Sequence, residues 1–436
     1  MYEEALAYLD SLIDFEKLGA TYFGRDRFQL ATVRALLAEV GDPQSSLRIV
    51  HIAGTKGKGS TAAILDSILR AAGLFVALFT KPHLVDIRER TLIGGQPIGR
   101  DELAQAVLRI RPSVDRLNAR PDCDPVTFYE AHLAAALVSF AERKVEVAVV
   151  ETGLGGRLDA TNALEPVATA ITRIDYDHTD ILGERLEGIA REKAGILKPG
   201  VPCLFAPQLP EVADILHREA AAVGAPVVPC PTVLERGDGT FDLRGRREYR
   251  HLRLPLAGRH QRENAAVAIG LAETLERVGI GVSEESVRSG LSQARCPGRF
   301  QVLEGKPTLV LDVAHNPVSA RVLREGLEAL LASRDSRPHV QLVVGMARDK
   351  DVSGFVATLA PIAERLICTR ADSGRAAAPE VIAEAARGRT ATVECLPTVP
   401  EALAAARRGA RPEDVVCVTG SFHVVGEAMQ ALGVIP

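Results

Sequence analysis

The residues that could do chemistry follow apolar runs. The most informative set is Ala53–Thr61, AGTKGKGST. Gly54, Gly57 and Gly59 would let the backbone curl so that successive N–H groups face an anion. A helix starting just behind would add its dipole. Lys58 would neutralise the β- and γ-phosphates of a nucleotide, with the hydroxyl of Ser60 close by. The strict spacing G-x-x-x-x-G-K-[ST] is not met, since Ile52 stands where the first glycine should be and Gly59 separates Lys58 from Ser60. The strand, glycine loop and helix in succession still predict phosphate binding over a plain turn.

A second set, Glu151–Asn162 (ETGLGGRLDATN), directly follows the run VEVAVV. In a doubly wound sheet ligands gather at the carboxyl ends of strands, and an acidic residue there can hold the Mg²⁺ that accompanies a nucleotide. The plainer alternative is a turn whose glutamate faces solvent. A third set, Asp175–Leu182 (DYDHTDIL), offers His178 among carboxylates. A lone histidine is more often structural, but three strand ends converging on one sheet edge favour a site.

The elements that must position these groups are legible as Val/Ile-rich runs: Leu47–Ala53, Val145–Val150, Val167–Ile174, Thr308–Val313, Val340–Val344 and Val415–Thr419. Many are bounded by Gly or Pro and followed by helical periodicity, the pattern of parallel strands buried on both faces in an α/β fold. After the first strand, Ile64, Leu65, Ile68 and Leu69 mark a helix from about Ser60 that Gly73 would end. The stretch 238–253 reads as a hairpin or excursion. Its arginines (Arg244, Arg246, Arg247, Arg250, Arg253) could attract a polyanionic tail, although a solvated hairpin is the simpler reading. A fresh set of strand and helix patterns follows Ser292–Pro297, which places a domain boundary between 1–295 and 296–436.

Composition bounds the partners. With 436 residues the chain has room for two or three domains. Its net charge of −4 argues against a nucleic-acid binder. Seven scattered cysteines with no C-x-x-C pair disfavour disulfide scaffolds and zinc knuckles. An acidic start without an apolar block does not read as a signal peptide, and no apolar run approaches the ~20 residues of a membrane span. The expectation is a soluble, monomeric cytoplasmic protein without nucleic-acid or membrane partners.

Taken together, the motifs resemble the folylpolyglutamate synthase and dihydrofolate synthase branch of the Mur ligase superfamily. Eight blocks match in the family's order: HIAGTKGKGS at 51–60, ETGLGGRLDATN at 151–162, DHTDILG at 177–183, REKAGILKPG at 191–200, LPLAGRHQRENAAVA at 254–268, PGRFQV at 297–302, LDVAHNP at 311–317 and VTGSFHVVGEA at 418–428. The resemblance implies a P-loop domain with a mainly parallel sheet, a smaller Rossmann-like C-terminal domain, and ATP in the cleft between them. It also implies a ligase that attaches L-glutamate to a folate or pteroate acid through an acyl phosphate.

Carried over residue by residue, the resemblance assigns Thr55–Ser60 to the phosphates, and Ser60, Glu151 and His178 to magnesium sites. Lys193 matches a lysine that the family carbamylates, although alone it would read as a surface helix lysine. Asn264 would hold the base side of the nucleotide. From the second domain Arg299 and Asp312 would reach phosphates and ribose, with His315 beside them. Lys58, His178, Lys193, Arg299 and His315 are thus the expected catalytic set. The pterin would meet Thr127, Phe128, Tyr129 and Glu130 (TFYE), together with Leu158, Asp159 and Ala160. The aromatic pair suits a flat heterocycle, although Phe128 could equally pack the helix that follows.

Two positions depart from the family. Lys81, in TKPHL, replaces a serine that contributes to a magnesium site, and Lys56 stands where asparagine is more usual. Together they imply fewer metal ions and more lysine charge around the triphosphate. Competing readings are a synthase restricted to one folate step, a peptidoglycan Mur ligase, and a nucleotide-dependent regulatory protein without ligase activity.

Overall fold

Each of the six Val/Ile-rich runs forms a strand, because continuous apolar side chains can be buried on both faces of a sheet only where helices cover both. The computed structural model describes residues 1–15, 29–176, 183, 185–334 and 338–434. His178 lies outside them.

The chain forms two compact units. The first comprises residues 1–81, 88–255 and 259–295; the second comprises 82–87, 256–258 and 296–436. The sequence expectation had a single crossing after residue 295. The 82–87 segment joins the second unit because Leu84 and Val85 lie against its apolar core.

The first unit is built on an eight-stranded sheet. Its strands are β1 (Arg48–Ala53), β2 (Val76–Phe79), β3 (Thr91–Ile93), β4 (Gln96–Pro97), β5 (Val147–Glu151), β6 (Pro166–Ile171), β7 (Cys203–Phe205) and β8 (Val227–Val228). Their order is β4-β3-β2-β5-β1-β6-β7-β8. All pairings are parallel except those of β3 with β2 and β4. The chain leaves β1 for β2 on one side, and later crosses from β5 over β1 to β6 on the other. β1 is therefore the point where the winding reverses, and the ends of β1, β5 and β6 open on one crevice.

The helix Lys58–Ala71 begins two residues before the expected Ser60, because Gly57 (φ +89°) makes the turn into it. Gly73 (φ +84°) follows its last residues, as expected of a terminating glycine. Its apolar face, Ile64, Leu65, Ile68 and Leu69, is fully buried. Helices Arg259–Thr274 and Glu284–Gln293 pack against it.

The arginine-rich excursion is a three-stranded antiparallel sheet of β9 (Thr232–Glu235), β10 (Phe241–Arg244) and β11 (Glu248–Leu252). Arg246 and Arg247 both pair with Glu276, and the Tyr249 hydroxyl donates to Glu273 at 2.9 Å. Those arginines fasten the hairpin to its own unit, which favours the structural reading over an anion trap.

The second unit holds β12 (Gln301–Leu303), β13 (Thr308–Asp312), β14 (Val340–Val344), β15 (Ala363–Cys368), β16 (Thr392–Cys395) and β17 (Val415–Thr419), in the order β12-β13-β17-β14-β15-β16. Only β12 runs antiparallel. Alternate residues feed two cores. Val310, Leu342, Leu366 and Cys417 pack with Phe355 and Leu327. Leu311, Val343, Ile367 and Val416 pack with Leu403 and Met429. All seven cysteines are free. Among the described residues no helix is long and apolar enough to cross a membrane.

The crossing behind the glycine loop depends on Gly290, where an added Cβ would lie 2.4 Å from Ile68 Cα and 2.8 Å from Ser67 O. Backbone cannot yield there as a side chain would. Gly290→Ala should therefore destabilise the protein by about 1–3 kcal/mol, read as a lower midpoint in urea with an unchanged slope.

Candidate active site

The loop after β1 is shaped by close approaches. At Gly54 (φ +146°) a Cβ would lie 1.9 Å from Thr172 Oγ1, and at Gly57 it would lie 2.2 Å from Asn264 Oδ1. Asn264 is buried and donates to Gln261 Oε1 at 3.0 Å. It therefore packs against the loop expected to hold phosphate.

The N–H groups of Thr55 and Lys56 do not face an open cradle: both donate to Arg173 O at 3.0 Å, and Thr55 Oγ1 donates to Asp175 O at 3.0 Å. Those bonds fasten the outer loop to the chain leaving β6. The helix that follows begins at Lys58, so the first-turn amides and the positive end of its dipole lie at Lys58–Ser60.

Glu151 ends β5 beside Ile52 of β1 and is 5% exposed, which excludes a solvent-facing glutamate. Its Oε1 lies 3.9 Å from Lys58 Nζ, and its Oε2 accepts from the Lys81 amide at 3.4 Å. The Lys81 ammonium lies 5.8 Å from the centroid of the Tyr129 ring. A carboxylate, two lysines and an aromatic ring thus form one continuous set at the winding reversal. Ser60, in the first turn of the Lys58–Ala71 helix, and Glu151 are oxygen donors suited to a divalent ion. Among the described residues no group of three or more His, Cys, Asp or Glu could hold a metal. An ion here would complete its coordination with phosphate oxygens and water, the usual situation of Mg²⁺ with a nucleotide.

Lys193 is not a surface lysine. It is 5% exposed, and its Nζ donates to Gly54 O at 2.9 Å. Its helix, Leu186–Ala194, is held to the 153–162 loop by close backbone approach. A Cβ at Gly156 would lie 2.6 Å from Glu192 O, and one at Gly195 would lie 2.4 Å from Arg157 Cβ. Asn162 Nδ2 bridges the carbonyls of Arg157 (2.9 Å) and Gly195 (3.0 Å).

TFYE opens the helix Phe128–Glu142. Thr127 Oγ1 accepts from Glu130 N at 3.2 Å while Glu130 Oε2 accepts from Thr127 N at 2.9 Å, a reciprocal capping box. The pattern T-x-x-E was legible in the sequence as such. Phe128 cannot stack on a heterocycle as placed: it is 4% exposed, with Arg90 over its ring at 5.4 Å and His132 at its edge. Tyr129 is the member turned towards the site. It lies 5.9 Å from Phe79 ring to ring, and a Cβ at Gly153 would come within 2.7 Å of its Cζ. Asp159 is buried and braces its own loop, accepting from Leu154 N at 2.7 Å and Thr161 N at 3.1 Å. Ala160 is buried beside it, and Leu158 is half-buried.

In the second unit, Asp312 at the end of β13 accepts from Phe300 N at 2.7 Å and Ala314 N at 2.9 Å. Burial pushes its carboxyl above the usual range. Arg299 lies over the Phe422 ring at 5.1 Å, and the His315 ring lies 6.3 Å from that of Phe422. His315 Nδ1 donates to Val313 O at 2.9 Å. Arg299 and His315 thus share the ring of Phe422, which stands in the matched block VTGSFHVVGEA.

Residues 298–422 match the glutamate ligase domain of Mur ligases. The chain is 33% identical over 413 residues to the dihydrofolate synthase/folylpolyglutamate synthase of Bacillus subtilis, covering 92% of this chain and 94% of that protein. The chain belongs to the folylpolyglutamate synthase/dihydrofolate synthase family. It is also 34% identical over 439 residues to a probable bifunctional folylpolyglutamate synthase/dihydropteroate synthase of Haloferax volcanii. That match covers 98% of this chain but spans only half the length of the archaeal protein. Among solved structures, the Yersinia pestis bifunctional folylpolyglutamate synthase/dihydrofolate synthase complexed with AMPPNP and Mn ion has a TM-score of 0.83. It is 33% identical, with 99% of this chain and 98% of that chain covered. The family's two-part α/β architecture is the fold seen here.

The loop geometry makes Gly57 a sharp test. Both its left-handed backbone and its contact with Asn264 Oδ1 oppose a side chain. Gly57→Ala should weaken ADP binding by at least about tenfold, equivalent to about 1.4 kcal/mol, measured by calorimetry on protein whose circular dichroism is unchanged.

Proposed function

We infer that the protein is an ATP-dependent ligase that joins L-glutamate to a folate-type carboxylate. The observation that carries this is the Lys58–Glu151 pair at the winding reversal, joined through Lys81 to Tyr129. A phosphate-binding end and an aromatic end meet there, as a phosphoryl transfer to a flat aromatic acid would need.

A carboxylate resists attack by an amine because its charge repels the nucleophile and an oxide is not a viable leaving group. Transfer of the γ-phosphoryl group to a carboxylate oxygen breaks the bond to ADP and makes an acyl phosphate. The glutamate amine then attacks the acyl carbon, and the tetrahedral intermediate collapses to an amide as phosphate departs. Lys58 and the helix N-terminus would spread the charge of the transferring group, so that catalysis rests on positioning and electrostatics. Magnesium, held by Ser60, Glu151 and the nucleotide's phosphates, would supply further charge neutralisation. Lys193 would carry a carbamate in the active form, converting a buried cation at Gly54 into an anion that orients the metal. Arg299 is assigned to phosphoryl charge. Tyr129 is assigned to the pterin side, with Leu158–Ala160 forming the loop beneath it.

Two experiments test this. Purified protein should release ADP and phosphate only when a pteroate or folate acid and glutamate are both present; equal ATP turnover without them would refute the ligase. Offering dihydropteroate and tetrahydrofolate separately, with products read by mass spectrometry, separates one folate step from both.

Lys81 provides a further test. If its ammonium stands in for a metal ligand, Lys81→Ser should raise the magnesium concentration needed for half-maximal rate and alter nucleotide affinity. Unchanged values for both would sink that role. Lys58→Ala should lower kcat by about 10²–10³, the cost of losing one preorganised charge at the reacting group.

A further inference from the structure

His51 is a histidine of the first motif to which no role has been given. It lies in the middle of β1, fully buried, with Val150 of β5 and Thr169 of β6 as its neighbours in register. Its Nε2 is 2.8 Å from Thr161 Oγ1. Thr161 Oγ1 also bonds to Asp159 Oδ1, and Thr161 N donates to the same oxygen at 3.1 Å. Asp159 Oδ2 accepts from Leu154 N at 2.7 Å.

The proton order in this chain is fixed by elementary valence. An ionised carboxylate can only accept, so the single hydroxyl proton of Thr161 goes to Asp159. The hydroxyl oxygen must then accept from His51, which places the imidazole proton on Nε2. Nδ1 has no hydrogen-bond partner among the described residues. That agrees with the same tautomer, since a buried acceptor is more readily left without a partner than a buried N–H. Burial, followed by the charge of Lys198, pushes the imidazole down to about 3, so the ring is neutral. Lys198 itself donates to Asn162 O at 3.1 Å, in the same loop.

We propose that His51 is a positioning residue for the acid-binding side of the site: as the neutral Nε2–H tautomer it orients Thr161 and Asp159, and through them the 153–162 loop against which Tyr129 packs. The link to Tyr129 is Gly153, whose Cβ position lies 2.9 Å from Asp159 Oδ2 and within 2.9 Å of two Tyr129 ring atoms. Asp159 Oδ2 and the Tyr129 ring thus flank the same glycine, and Asp159 holds the backbone that follows it through Leu154 N. The role in catalysis rests on the ligase reading; the hydrogen-bond relay does not.

The test uses the full chain and two variants. His51→Gln keeps an N–H donor near the Nε2 position, whereas His51→Leu keeps the volume and removes the donor. His51→Leu should raise KM for the folate acid about tenfold, the scale of a lost buried hydrogen bond, with KM for ATP changed less than about twofold. His51→Gln should recover most of the loss. An equal rise in both KM values, or a Gln variant no better than Leu, overturns the proposal.

Should the Leu variant not fold, ¹⁵N NMR of the histidine-labelled wild type decides the relay on its own. A protonated Nε2 with an unprotonated Nδ1, unchanged between about pH 5 and 8, supports it. An Nδ1–H tautomer overturns it. Because this measurement needs no substrate, its failure is distinguishable from a failure of the ligase reading, which would show as ADP release independent of a folate acid.

Discussion

The parallel ladder in which β1 pairs with β5 on one side and β6 on the other governs the first unit. Its register sets Ile52 beside Glu151, so that the loop leaving β1 and the carboxylate ending β5 start from adjacent positions. On the other side, the Ala53 carbonyl accepts from Thr172 N and the Arg173 carbonyl accepts from Thr55 and Lys56. The loop is thus clamped by β6 while its helix end faces β5. Lys58 and Glu151 approach to 3.9 Å because strands in a sheet are about 4.8 Å apart. A ladder slip of one residue would turn Glu151 to the other face and separate them.

Close backbone approach is the second recurring device. Gly54, Gly57, Gly153, Gly156 and Gly195 each occupy places where a methyl group would enter another residue. They bring the phosphate loop, the 153–162 loop and the helix of Lys193 within direct contact of one another. The consequence is that Lys193 can reach a loop carbonyl, and that Tyr129 rests on a glycine braced by Asp159. Glycine content in these motifs therefore reflects packing as much as turn formation. The second unit works differently: Asp312 ties the turn carrying Arg299 to the end of β13, and Phe422 supplies a ring shared by Arg299 and His315.

Charge is used in the same local way. A net charge of −4 gives no general attraction for anions. The lysines that matter are concentrated near Glu151 and Tyr129, where low exposure limits screening by solvent. The arginines of the β9–β11 hairpin, numerous in sequence, are largely engaged with Glu276, Glu248 and backbone carbonyls. Richness in a charged residue and availability of its charge are separate properties.

The sequence by itself determined the α/β class, six strands, the helix behind the glycine loop and the placement of Lys58 and Glu151 just after apolar runs, because apolar runs, glycine spacing and strand-end position are local signals. It also contained the T-x-x-E pattern of a capped helix start at Thr127, which the structure realises as a capping box. Tertiary structure alone decided that Thr55 and Lys56 bond to Arg173, that Phe128 is covered while Tyr129 is presented, and that Lys193 is buried against Gly54. It likewise decided that His51, Thr161 and Asp159 form one chain of hydrogen bonds, although 110 residues separate His51 from Thr161. Such contacts depend on which strands become neighbours and in what register. That is a property of the whole sheet, and no window of sequence contains it.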